Sequence, residues 1–315
     1  MGASTQVPMT APRIRHSKGS GTPLVMVTAY DAPTARVVDG AGVDMILVGD
    51  SVAMVVLGYD DTLKVTTDDM VHHVGAVART RPNALIVGDL PWLSYHVSRD
   101  ETVHNAAKLI RAGAGAVKLE GGRKRLESVA AILDAEIPVM GHIGLTPQSI
   151  HALGGFKVQG KQMDAAQTIV DDAIALAEAG CFAIVLECVP DGVARMVTDS
   201  VDVPTIGIGA GRHCDGQVLV FHDLLGFAGV GRSTPKFVRR YAALEETATL
   251  AVAQFAEDVR EGRYPSSEET YHMTDQMGDV FELSSGRSES GQSESGQSES
   301  GRSEGSPEAA VSPPV

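Results

Sequence analysis

Short uncharged runs recur along the chain, and most of them stop on a polar group. Met45-Ile46-Leu47-Val48-Gly49 is followed by Asp50-Ser51, and Ala84-Leu85-Ile86-Val87-Gly88 by Asp89. Ala116-Val117-Lys118-Leu119-Glu120, Ile137-Pro138-Val139-Met140-Gly141-His142 and Phe182-Ala183-Ile184-Val185-Leu186-Glu187 vary the theme. Brief apolar runs closed by glycine and an acid read as buried strands of a parallel sheet. Residues 24–30, 205–208 and 217–221 supply three more. Segments of helical spacing separate the strands. The pattern predicts helices over 32–40, 67–79, 98–112, 125–135, 165–179 and 190–200, with Thr67 as the cap of the second, Ser98 and Glu101 as a capping box and Gly113 as a stop. One or two closing helices follow over 237–262. Strand–helix alternation with eight strands predicts an α/β protein of TIM (β/α)8-barrel architecture, which takes about 250 residues.

The alternation assigns faces as well as elements. Lys118 and Glu120 stand two apart on one strand, so both face the same side, and if that side is the barrel interior then Leu119 faces the helices. The stretch 52–66 is too apolar for an ordinary exposed loop and is expected to fold over the barrel mouth or to lie in a subunit contact. Gly207-Ile208-Gly209-Ala210-Gly211 lacks the Lys-Ser/Thr of a phosphate loop and reads as turn chemistry.

Composition divides the chain in three. Residues 1–20 read as a flexible N-terminal arm and 21–265 as the catalytic barrel. Residues 266–315, with a Ser-Glu-Ser-Gly repeat and a Pro-rich end, read as a disordered tail with nothing to bury. The formal net charge of −14 argues against nucleic acid, which selects a basic stripe. No apolar run reaches the roughly 20 residues of a membrane helix, so no membrane association is expected. Three cysteines without Cys-x-x-Cys spacing and an N-terminus without an apolar core suggest reduced thiols and a cytoplasmic protein.

The strand ends carry the chemistry. Asp50, Asp89 and Glu120 are expected to converge from neighbouring strands at the carboxyl end of the barrel, where carboxylates repel unless protonated or bound to a cation. An all-oxygen set favours a hard ion such as Mg²⁺. Lys118 is placed to receive a substrate carboxylate, or to form a Schiff base. Glu187 is the candidate general base, and His142 suits a neutral hydrogen-bonding role better than metal ligation. Structural ion networks also gather charges at such ends, but five polar strand ends in equivalent positions argue for a site.

Several ordered motifs resemble ketopantoate hydroxymethyltransferases. They are Val27-Thr28-Ala29-Tyr30-Asp31, Val48-Gly49-Asp50-Ser51, Gly88-Asp89-Leu90-Pro91 and Val117-Lys118-Leu119-Glu120-Gly121-Gly122 in the first half. Gly141-His142-Ile143-Gly144-Leu145-Thr146-Pro147-Gln148-Ser149, Leu186-Glu187-Cys188-Val189-Pro190 and Gly207-Ile208-Gly209-Ala210-Gly211 continue it, in register from about residue 20 to 265. The resemblance implies a Mg²⁺-dependent barrel of the phosphoenolpyruvate/pyruvate type. Its reaction would carry a one-carbon unit from 5,10-methylenetetrahydrofolate to 3-methyl-2-oxobutanoate through a Mg-stabilised enolate, giving 2-dehydropantoate for pantothenate synthesis. By position it implies Asp50, Asp89 and Glu120 as metal ligands, and Asp50, Ser51, Asp89 and Lys118 as oxoacid-binding residues. Glu187 would be the proton acceptor and His142 a pocket residue. It also implies a homodecamer of two pentameric rings. Val52-Ala53 stands where the family usually has Leu-Gly, Lys64 where it has proline and His96 where a small residue is common; the site's charges are intact. The alternative is a metal-dependent oxoacid lyase of related barrels, which would need no folate.

Overall fold

The alternation within each apolar run decides what the strands pack against. In the structure, a computed structural model that describes residues 7–227 and 234–273, eight parallel strands close into a barrel in sequence order. They are β1 (Leu24–Thr28), β2 (Met45–Val48), β3 (Leu85–Asp89), β4 (Ala116–Glu120), β5 (Val139–Gly144), β6 (Ala183–Glu187), β7 (Thr205–Ile208) and β8 (Gly216–Leu219). One set of alternate residues, including Met26, Met45, Leu47, Val87, Met140 and Val185, fills the interior. The other set, including Ile46, Val48, Val117, Leu119, Val139 and Ile184, packs outward against the helices. Leu119 is on the outer layer, as the spacing predicts.

Helices alternate with the strands. In chain order they are α1 (Ala11–His16), α2 (Ala32–Gly40), α3 (Val52–Val55), α4 (Thr67–Ala78), α5 (Arg99–Ala112), α6 (Leu126–Asp134), α7 (Ile150–Leu153), α8 (Met163–Ala179), α9 (Asp191–Ser200), α10 (Phe221–Leu225) and α11 (Leu244–Arg260). Local signals set their ends. Thr66 and Asp69 form a reciprocal capping box on α4, one residue earlier than the sequence pattern suggests. Ser98 accepts the Glu101 N–H at the start of α5, and Gly113 closes that helix in the left-handed conformation. In the apolar stretch after Ser51, Val52 and Ala53 are buried while Val56, Leu57 and Tyr59 are exposed. The 207–211 glycine run is a turn, with Gly209 and Gly211 at positive φ.

The N-terminal segment departs from the expectation of a flexible arm. Thr10 caps α1, and Ala11 and Ile14 join the interior cluster with Leu24, Met26 and Phe182. Ile14 is completely buried. A closed barrel leaves an apolar floor at its amino end, and Ala11 and Ile14, from a hexapeptide that also holds two arginines and a histidine, cover it.

The chain divides into two compact units at Leu250. The barrel is in the first. In the second, Arg263 pairs with Asp258 at 2.7 Å and Phe255 meets Tyr264 edge-on. Of the closing segment, 244–260 is helical. The repeat read as a disordered tail lies outside the described residues. Among the described residues no helix is long and apolar enough to cross a membrane.

Candidate active site

Register brings the polar strand ends side by side. Asp89 of β3 is level with Lys118 of β4, and Glu120 of β4 with His142 of β5. Level residues on adjacent parallel strands point the same way, so these side chains form a polar layer directly above the interior apolar one. The Lys118 ammonium lies 2.7 Å from both Asp89 oxygens and 4.0 Å from Glu120 Oε1. His142 stands between two acids, with Nδ1 3.5 Å from Glu120 Oε1 and Nε2 3.3 Å from Glu187 Oε2. Neither ring nitrogen has the alignment of a hydrogen bond, so proximity rather than directed bonding describes these contacts.

Asp50 enters from the turn after β2. Its backbone N–H donates to Asp89 Oδ2 at 3.3 Å, and its own Oδ2 accepts from Gln148 Nε2 at 2.9 Å. Ser51, expected beside the acids, shares a hydrogen bond with the Tyr30 hydroxyl at 2.9 Å. Glu187 ends β6 at the rim, with its side chain 16% exposed, whereas Asp50, Asp89, Lys118, Glu120 and His142 are buried. The backbone there is shaped on both sides. Cys188 adopts φ +46°, and Gly144 at φ +91° leaves the space for Leu145 N–H to donate to the Glu187 carbonyl at 2.8 Å. A Cβ on Gly144 would run into that carbonyl oxygen.

Four carboxyl groups therefore face one ammonium. Burial, and then the neighbouring Asp89 carboxylate, push Asp50 up to about 7. Burial raises Glu120 well above the usual carboxylate range, with the Lys118 charge opposing it. For Lys118 burial works against the charge, but Asp89, Glu120 and Asp50 outweigh it and the pKa is raised. Burial and the Lys118 charge depress His142, keeping the imidazole neutral. The cluster is short of positive charge, which is the condition in which a hard cation binds. Among the described residues no three His, Cys, Asp or Glu side chains are set as a preformed metal cage.

Sequence reasoning identified every acid and base of this cluster and missed two uncharged members. Gln148, within a short 3-10 turn after β5, and Tyr95, between β3 and α5, are both buried among the acids. A glutamine four residues past the barrel strand that carries His142 was the available signal, but its partners depend on loop geometry.

A closed parallel barrel with a buried acid–base layer at the carboxyl ends of its strands defines an enzyme of the (β/α)8 class. Solved structures share the fold at low identity. Phosphonopyruvate hydrolase aligns with a TM-score of 0.55 at 14% identity, covering 89% of this chain and 97% of that one. 2,3-Dimethylmalate lyase, a PEP mutase/isocitrate lyase superfamily member, gives 0.52 at 15% identity, covering 88% and 98%. At such identities the likeness shows the fold alone.

Sequence comparison goes further, because the ketopantoate hydroxymethyltransferase profile matches residues 8–267, and the chain belongs to that family. The 3-methyl-2-oxobutanoate hydroxymethyltransferase of Syntrophomonas wolfei is 54% identical over 273 residues, 86% of this chain and 98% of its own. That of Moorella thermoacetica is 53% identical over 264 residues, covering 84% and 97%. The match begins at residue 8, so it includes α1.

Proposed function

We propose that the chain transfers a hydroxymethyl group from 5,10-methylenetetrahydrofolate to 3-methyl-2-oxobutanoate, giving 2-dehydropantoate for pantothenate synthesis, with Mg²⁺ held by Asp50, Asp89 and Glu120. The observation that carries this reading is the buried excess of carboxyl groups around Lys118 at the barrel mouth. Hard oxygen donors suit Mg²⁺, and a cation would relieve the repulsion that pushes Asp50 up to about 7. Among the described residues no preformed cage closes around these acids, which leaves room for the waters and substrate oxygens that Mg²⁺ keeps among its ligands. When bound, the ion would supply Lewis-acid polarisation of the 2-oxo group.

The chain's own residues divide the remaining work. Lys118 and Ser51 receive the oxoacid carboxylate, with Asp89 holding the ammonium in place. Glu187, at the rim, takes the C3 proton on a carboxylate oxygen. The C3 carbon then attacks the methylene carbon of the folate, forming the new C–C bond as one folate nitrogen leaves; water replaces the second nitrogen, supplying the hydroxyl oxygen and releasing tetrahydrofolate. His142 beside Glu187 stays neutral and lines the pocket.

Two measurements test this. Oxoacid turnover should require both methylenetetrahydrofolate and Mg²⁺; folate-independent cleavage of an oxoacid would instead establish the lyase. Glu187→Gln should bind the oxoacid with near-normal affinity yet lose about 10²–10⁴-fold in C3 proton exchange, followed in deuterated water without folate. Wild-type exchange in that variant would remove Glu187 from the base role.

A further inference from the structure

Gln148 is bound through both ends of its side-chain amide and through its main-chain N–H. Its Nε2 donates to Asp50 Oδ2 and to the Leu90 carbonyl, both at 2.9 Å. Its Oε1 accepts from the Tyr95 hydroxyl at 2.6 Å, and its main-chain N–H donates to Glu120 Oε2 at 3.0 Å. One residue on the β5 loop thus holds two carboxylates that come from β2 and β4, on either side of β3. We infer that Gln148, oriented by Tyr95, is a positioning residue that fixes the Asp50 and Glu120 carboxylates for the metal and the oxoacid; this rests on the function proposed above.

Three features favour that role over simple packing. The two acceptors at Nε2 and the hydroxyl at Oε1 allow the amide one orientation, so the donor aimed at Asp50 cannot flip away. The amide is neutral. A lysine or arginine at this place would hold Asp50 equally well but cancel the negative charge that a cation needs, whereas an amide directs the carboxylate and leaves its charge. Tyr95 is itself fixed from α6 and the residue before it, where Ser128 Oγ donates to its carbonyl at 2.9 Å and the Arg125 guanidinium lies over its ring at 5.9 Å. The hydroxyl also accepts the Glu120 main-chain N–H at 3.2 Å, tying Tyr95 to the strand that presents the second carboxylate.

Gln148→Met keeps the length of the side chain and removes the amide, while the main-chain N–H to Glu120 stays. Mg²⁺ and oxoacid affinities, measured together by calorimetry on the full chain without folate, should weaken by about 10–100-fold, the usual loss when an outer partner of a metal ligand is removed. The KM for the oxoacid should rise by a similar factor, with kcat changed less. Tyr95→Phe should weaken binding about fivefold, as one neutral hydrogen bond does, and most of that effect should vanish in the Gln148→Met background. A folded Gln148→Met protein with affinity and KM within twofold of wild type overturns the proposal, even if its thermal midpoint falls. Additive losses in the double variant overturn the role of Tyr95. If Gln148→Met does not fold, Tyr95→Phe alone decides, and unchanged affinity there overturns the proposal. Wild-type protein that binds no oxoacid with Mg²⁺ would instead refute the proposed function, a result recognisable before any variant is made.

Discussion

Replacing Asp50 by Asn should make the metal-free protein more stable while abolishing metal-dependent oxoacid binding. In the unfolded chain this carboxyl ionises near 3.8, whereas in the barrel burial and Asp89 hold its proton up to about 7. Between those values the folded protein binds more protons than the unfolded one, so this group's contribution lowers stability as pH rises and levels off above about 7. At about 1.36 kcal/mol for each pH unit, the cost is about 2 kcal/mol at pH 5 and about 4 kcal/mol at pH 8. Asparagine removes that cost. Its carbonyl can still accept from Gln148 Nε2, and its amide N–H can face Asp89. The assay is urea unfolding of metal-free wild-type and variant protein at both pH values, followed by circular dichroism. Comparison at equal pH cancels the titrating groups that do not interact with Asp50. The gain should be larger at pH 8 than at pH 5 by about 2 kcal/mol. Equal gains at the two pH values, or a less stable variant at pH 8, would refute the account of Asp50 as a buried group forced to ionise.

Two further substitutions probe the floor and the centre of the barrel. Ile14→Ala, at a fully buried position on α1, should destabilise by about 2–5 kcal/mol in urea unfolding and leave the oxoacid KM within twofold, because it lies at the opposite end from the acids. Lys118→Met leaves the buried Asp89 carboxylate without its cation and should cost about 3–5 kcal/mol, with much of the loss restored in the Lys118→Met/Asp89→Asn double variant. A Lys118→Met protein as stable as wild type would show that Asp89 has another partner.

What was legible in the sequence follows from the range over which each signal acts. The side-chain alternation of a strand is local, so the inward placement of Lys118 and Glu120 and the outward placement of Leu119 could be read two residues at a time. Helix ends were legible for the same reason, since Gly113 and Ser98 act within a turn. The one-residue shift of the α4 cap to Thr66 shows the limit, because Thr66 and Thr67 are equivalent until Asp69 reciprocates. Helix α1 was not legible. Its hexapeptide APRIRH has the composition of an exposed arm, and only the apolar floor of the barrel gives Ile14 a place to bury. Gln148 and Tyr95 were hidden for a related reason. Their hydrogen bonds join residues 53 and 98 positions apart, and a neutral polar side chain carries no charge pattern to reveal its partner.

The same two-residue step that builds the core also builds the site. On β3, β4 and β6 the inward positions run from apolar to polar, as in Val87 to Asp89, Ala116 to Lys118 and Glu120, and Val185 to Glu187. The apolar layer beneath is closed by parallel ladders on both sides of every strand, so the main chain under each acid is fixed before any ligand arrives. Electrostatic strain in the polar layer then cannot relax by moving strands apart. It is expressed in the protonation of Asp50 and Glu120 instead, where binding of a cation can reverse it. An open sheet edge or a mobile loop carrying the same four acids would splay them into water, and the affinity for a hard cation would fall with the local charge density. The barrel therefore contributes confinement, and the Gln148 amide contributes direction without neutralising the charge that confinement concentrates.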